Sequence, residues 1–130
     1  MTIADSLVGS FTTIMENELR GNRECTITPA SKLVASVLRV MQKQGYIGEI
    51  ELVDNGRGGK IKIQLLGRIN NCGSIRPHFP VTRDETEEWV RSFLPSRDLG
   101  VVILSTSAGV VTHHEAREKK IGGALLAFVY

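Results

Sequence analysis

The stretch Gly100-Val-Val-Ile-Leu-Ser-Thr-Ser-Ala-Gly109 holds a strand, its end and a small polar surface in a single run. Val101, Val102, Ile103 and Leu104 form a short apolar, β-branched and aliphatic run, the pattern of a strand covered on both faces. Ser105, Thr106 and Ser107 then place three small donor and acceptor groups where the strand ends. Ala108 and Gly109 leave room for another molecule to come close. Three hydroxyls without a base make poor nucleophiles, but they hydrogen-bond well to sugars, phosphates and base edges. The stretch points to recognition rather than catalysis.

Outward from it, Val110 and Val111 read as a hairpin return. Thr112-His-His-Glu115 is a capping box for a short helix running to about Lys120. Gly122-Gly123 is expected to break that helix before a closing strand, Leu125-Leu-Ala-Phe-Val-Tyr130. Upstream, Asp84 is placed to cap a helix carrying Trp89, Val90, Phe93 and Leu94, which Pro95 ends. A strand around Ile75–Val81 precedes it, confined to a sheet edge by Pro77 and Pro80. Gly67-Arg-Ile-Asn-Asn-Cys-Gly-Ser74 is rich in turn residues and reads as a domain boundary.

The first half has its own pattern. Ile3, Leu7, Val8, Phe11, Ile14 and Met15 share one helical face, with Thr2 and Asp5 as a capping signal and Gly21 as the stop. Glu24-Cys-Thr-Ile-Thr28 is a short strand candidate. Pro29-Ala-Ser-Lys32 opens a second helix whose Leu33, Val34, Val37, Leu38 and Met41 repeat at the 3.6 period, with Gly45 as its left-handed stop. Ile47, Ile50, Leu52 and Val53 suggest a strand, Asn55-Gly-Arg-Gly-Gly59 a turn, and Ile61, Ile63 and Leu65 the partner strand. The expected fold class is α+β in two small packed domains. Residues 1–66 form an α-β-α-β-β layer, and residues 67–130 a mainly β domain with short helices.

Bulk properties permit this reading. A chain of 130 residues can bury roughly two-thirds of its unfolded surface. Sixteen Lys and Arg against fourteen Asp and Glu leave a formal charge of +2, and neither half is a basic tail. Net charge therefore argues mildly against a nucleic-acid binder, unless the cations are gathered on one surface. Cys25 and Cys72 are isolated and read as reduced thiols of a cytosolic protein. The N-terminus lacks a charged region followed by an apolar core, and no apolar run approaches ~18 residues, so a soluble, unexported protein without a membrane partner is expected.

Other constellations invite chemistry. His113, His114 and Glu115 are of metal-ligand type, but adjacent histidines at a helix start diverge and no second ligand pair has zinc-site spacing. They read as solvated polar residues and a cap. Ser107 with His113 could be nucleophile and base of a small hydrolase, yet no G-x-S-x-G elbow and no orienting carboxylate is present. Gly56-Arg-Gly-Gly-Lys60 lacks the phosphate-loop spacing and sits between strands, which suits a hairpin with a basic tip and offers a protein-interaction module as a rival. Neither a catalytic residue, a metal nor a cofactor is expected. Lys32, Arg39 and Lys43 avoid the apolar face of the second helix, and Lys60 and Lys62 alternate outward on the hairpin. Ser31, Lys32 and the first free amides of that helix form a ready anion site. Only seven aromatic residues argue against broad stacking on single strands and for a folded, shaped RNA.

Gly100-Val-Val-Ile-Leu-Ser-Thr-Ser-Ala-Gly-Val110, Glu115-Ala-Arg117, Gly122-Gly123 and the final Leu-Ala-Phe-Val-Tyr closely resemble the signature end of the family of small-subunit ribosomal protein number eight. Pro29-Ala-Ser-Lys32, Leu38-Arg-Val-Met41 and Gly45-Tyr-Ile-Gly48 extend the resemblance through the first half. The middle, Leu66 to Asp98, resembles the archaeal and eukaryotic branch. The resemblance implies a non-enzymatic constituent of the small ribosomal subunit in the cytoplasm. It implies direct binding to the central domain of small-subunit ribosomal RNA, contact with neighbouring ribosomal proteins and, in some members, binding to a similar messenger-RNA hairpin. Carried over by position, Ser105, Thr106, Ser107 and Gly109 match the RNA-entering loop, and Gly122 and Gly123 match the segment beside it. Ser31 and Lys32 match a backbone-contacting site, and Arg117 a pinning or phosphate group. Arg57 and Lys60 join them as cations of the hairpin.

Overall fold

Period-two alternation in Lys60-Ile-Lys-Ile-Gln-Leu65 sends Ile61, Ile63 and Leu65 into the interior and leaves Lys62 and Gln64 outside. That strand is the middle of a three-stranded antiparallel sheet. In the computed structural model, which describes residues 3–27, 32–53, 59–75, 80–95 and 99–130, with side chains of the first helix from residue 8 onward, the chain divides into two compact units. These are Met1–Asn71 and Cys72–Tyr130, and the division falls inside the turn-rich segment 67–74. Among the described residues the elements are α-helices and two antiparallel sheets, the α+β class expected.

The first unit runs α1 (Ile3–Leu19), β1 (Glu24–Ile27), α2 (Lys32–Lys43), β2 (Ile47–Val53) and β3 (Lys60–Leu65), with sheet order β1-β3-β2. Phe11 and Ile14 of α1 and Val34, Val37, Leu38 and Met41 of α2 are buried with the inner face of that sheet. Gly21 (φ +74°) and Gly45 (φ +82°) end the two helices as expected. After α2, the Tyr46 N–H donates to Met41 O (3.1 Å) and the Gly45 N–H to Gln42 O (3.0 Å), the paired bonds of a Schellman stop. Burial, reinforced by the Glu18 carboxylate, pushes the Cys25 thiol up to about 11, so it is an inert core thiol.

The second unit holds β4 (Cys72–Ser74), β5 (Pro80–Val81), α3 (Thr86–Phe93), β6 (Val101–Thr106), β7 (Gly109–Thr112), α4 (His113–Lys119) and β8 (Gly123–Val129). The sheet order is β4-β8-β6-β7, and β5 also pairs with β8. β6 is central, and Val101 to Leu104 are each at most 3% exposed, as the apolar run requires. Val102, Leu104 and Leu125 pack with Val90 and Leu94 of the α3 segment, and the partly buried rings of Phe93, Phe128 and Tyr130 lie against that core.

Three expectations change. The strand expected over Ile75–Val81 is two short pieces along β8, Cys72–Ser74 and Pro80–Val81, and residues 76–79 lie outside the described set. Asp84 does not cap α3. The Thr86 N–H and Oγ1 both reach Thr82 O, so the turn starts at Thr82 while Asp84 faces only Arg83 at 3.9 Å. Nor does Gly122-Gly123 break α4: Lys120 turns left-handed two residues earlier (φ 57°, ψ 43°). The glycines are required instead by crowding against neighbouring backbone.

Candidate nucleic-acid interface

The hydroxyl loop is the tip of the β6–β7 hairpin, where Thr106 pairs with Gly109 and Ser107-Ala108 make the turn. Gly109 carries the positive φ (+102°) that closes it, with open space around its α-carbon, so backbone conformation selects glycine there. The three hydroxyls do different work. Thr106 Oγ1 donates to Gly109 O (2.9 Å) and accepts from the Ala108 N–H (3.1 Å), clamping the turn from within. Ser105 is half-buried and Ser107 exposed, and neither hydroxyl is hydrogen-bonded among the described residues. The loop therefore presents two unused hydroxyls on a frame that the third holds closed.

Gly122 and Gly123 support that frame from the side. A β-carbon on Gly123 would fall on the Ser105 carbonyl oxygen and within 2.8 Å of Thr106 Cγ2. One on Gly122 would fall on the Val81 carbonyl oxygen and reach 3.0 Å from the Arg83 amide nitrogen. The start of β8 can approach the loop because the Gly123 side chain is hydrogen, and Gly122 permits the matching approach to the Val81–Arg83 backbone.

The sequence pattern reads His113 as a solvated residue, but it is 3% exposed. The β6–β7 ladder ends at Ile103–Thr112 because α4 begins, with Thr112 Oγ1 accepting from the Glu115 N–H at 3.2 Å. The next strand amide, Val102 N–H, would lose its acceptor, and His113 Nδ1 takes it at 3.0 Å. Burial holds the ring down to about 4, aided by His114 and Arg117, so it is neutral near pH 7. The sequence signal was there, since a polar residue following a buried strand has an unpaired amide to serve. Ser107 and His113 lie at opposite ends of the hairpin, on the order of 15 Å apart along the strand, so they form no nucleophile–base pair.

The cations fall elsewhere. Arg117 lies 3.0 Å from Glu87 and ties α4 to α3 at a half-exposed site. Lys32 is exposed at the start of α2, and Lys60 is half-buried at the start of β3. Ser31 of the expected anion site and Arg57 of the expected hairpin tip lie outside the described residues. Lys62 lies among Arg23, Glu24, Glu49 and Glu51, where three carboxylates outnumber two cations and disfavour phosphate. No group of His, Cys, Asp or Glu among the described residues could hold a metal ion. No described helix is long and apolar enough to cross a membrane.

The family described as Ribosomal protein S8 matches residues 2–130. The chain belongs to the ribosomal protein S8 family. A small ribosomal subunit protein uS8 of Pyrobaculum arsenaticum is 52% identical over 130 residues, spanning 100% of both chains. That archaeal relative agrees with the branch resembled by Leu66 to Asp98. Ribosomal protein S8 is a structural component rather than an enzyme.

Proposed function

We propose that the protein is a constituent of the small ribosomal subunit that binds the central domain of its ribosomal RNA directly and assists assembly, working in the cytoplasm beside neighbouring ribosomal proteins. What carries the reading is the pair of uncommitted hydroxyls, Ser105 and Ser107, on a turn clamped internally by Thr106 and flanked by Gly123. Preorganised donors and acceptors lose little freedom on docking, so short-range hydrogen bonds can discriminate among RNA sites. Lys32 and Lys60, with Arg57 by position, neutralise phosphates and supply the salt-dependent share of affinity, while Ser31 by position offers a neutral hydroxyl to the RNA backbone. The same surface would accept a messenger-RNA hairpin of like shape, which extends the reading to feedback on synthesis.

The test is a filter-binding titration against a central-domain transcript and a length-matched unrelated RNA at several salt concentrations. Ser105→Ala with Ser107→Ala removes two hydrogen bonds of net ~1 kcal/mol each and weakens specific binding roughly 10- to 30-fold, leaving the salt slope unchanged. Lys32→Ala flattens the slope by about one unit on both RNAs. Equal loss on both RNAs in the serine double variant overturns the reading.

A further inference from the structure

Three helices of this chain stop with the same pair of backbone bonds, and only one of them does so without glycine. After α1 the Asn22 N–H donates to Asn17 O and the Gly21 N–H to Glu18 O. The stop after α2 repeats this with Tyr46 to Met41 and Gly45 to Gln42. In α4 the Ile121 N–H donates to Ala116 O and the Lys120 N–H to Arg117 O. The left-handed residue is Gly21, then Gly45, then Lys120. Lys120 is the only non-glycine residue at positive φ among the described residues, and a β-carbon makes that conformation unfavourable. Strain retained at one position, where the same chain twice uses the relaxed residue, points to a side chain kept for its chemistry.

Helix termination does not explain the cation, because Arg117 and Lys119 already place positive charge in the last turn of α4. Lys120 itself is exposed and makes no ion pair among the described residues. Its position in the chain is informative. Three residues later Gly123 lies against the Ser105 carbonyl and Thr106 Cγ2. The tether confines the Lys120 α-carbon to within ~11 Å of that contact, and an extended lysine side chain is long enough to cover about half of that distance. The left-handed turn is also what lets the chain leave α4 and enter β8 beside the loop.

We infer that Lys120 is a phosphate-contacting residue of the RNA surface, holding the RNA backbone next to the Ser105–Ser107 loop. The inference rests on the proposed RNA-binding reading and supplies the cation that the loop itself lacks. It also answers the weak overall charge, since one well-placed ammonium beside the specific site contributes more than dispersed ones.

Lys120→Gly and Lys120→Arg are compared with the unaltered full chain by thermal unfolding and by titration with a central-domain transcript. The glycine variant has the relaxed helix stop, so its Tm rises by ~3 °C. At the same time its affinity falls roughly 3- to 10-fold at ~0.1 M salt, and the slope of log K against log salt drops by about one. The arginine variant retains affinity and slope. Opposite signs for stability and binding are the signature, because a residue serving only the helix end moves the two together or leaves binding alone. A glycine variant that binds with unchanged affinity and slope, or that melts lower, overturns the assignment. Failure of the unaltered chain to prefer the central-domain transcript over the unrelated RNA overturns instead the reading on which the assignment rests, and is read before either variant.

Discussion

Acid should strip a defined increment of stability from this protein through His113. The ring replaces the strand carbonyl that β7 can no longer offer, accepting the Val102 N–H at Nδ1 (3.0 Å). Protonation turns that acceptor into a donor facing a donor. It also places a cation beside His114, whose ring centroid is 4.0 Å away, and near Arg117, opposed only by Glu87. Burial is the main cause that lowers the ring from 6.5 to about 4. Because the folded value lies below the unfolded one, the unfolded chain binds the extra proton between these limits. Stability is therefore fully present above ~6.5, declines as pH falls, and is lost below about 4. At ~1.4 kcal/mol per pH unit the interval corresponds to ~3.5 kcal/mol. Screening by solvent around the exposed His114 and Arg117 side chains reduces the usable figure to ~2 kcal/mol. Urea unfolding at pH 7 and pH 4.5 measures it against His113→Asn, whose Oδ1 can take the same amide without titrating. The wild-type chain should lose ~2 kcal/mol more than the variant across that interval. Equal losses in the two proteins, or an NMR titration of His113 with an ordinary midpoint near 6.5, would refute the reasoning.

Two further outcomes concern the loop. Thr106→Val keeps the shape but removes both turn bonds, so exchange of the Ala108 amide in the free protein should quicken roughly fivefold and RNA affinity should fall several-fold, with Thr106→Ser restoring both. Lost affinity with unchanged Ala108 exchange would mean that the Thr106 hydroxyl touches RNA itself. Gly123→Ala forces β8 away from the Ser105 carbonyl and should cost ~2 kcal/mol in unfolding free energy while shifting the Ser105 and Thr106 amide resonances. Unchanged resonances would show that the crowding is relieved without moving the loop.

Much of this molecule was readable from local pattern. The 3.6 period of Val34, Val37, Leu38 and Met41 gave α2 its inner face, and Gly45 stopped it where expected because a left-handed residue without a β-carbon is cheap to place. The alternation of β3 and the apolar run of β6 placed both central strands. Misreadings arose where two nearby residues competed for one local role. Thr82 displaced Asp84 at the start of the α3 turn because its carbonyl accepts both the Thr86 N–H and the Thr86 hydroxyl. Lys120 displaced Gly122 as the stop of α4, since the glycines were needed where backbones meet.

Residue order alone determined the class of fold, the central strand and the run of alcohol side chains at its end, because periodicity and composition act over a few neighbouring residues. Folding in three dimensions decided how those alcohols are divided. Thr106 turns inward because the folded two-residue turn brings the Ala108 N–H and the Gly109 carbonyl of the returning strand within reach of its hydroxyl. His113 is drawn inside only because Val102, eleven positions earlier, has an amide left without a carbonyl. Hydrogen-bond partners supplied by another strand cannot be read from spacing, and they determine which polar groups are engaged and which remain free for a ligand.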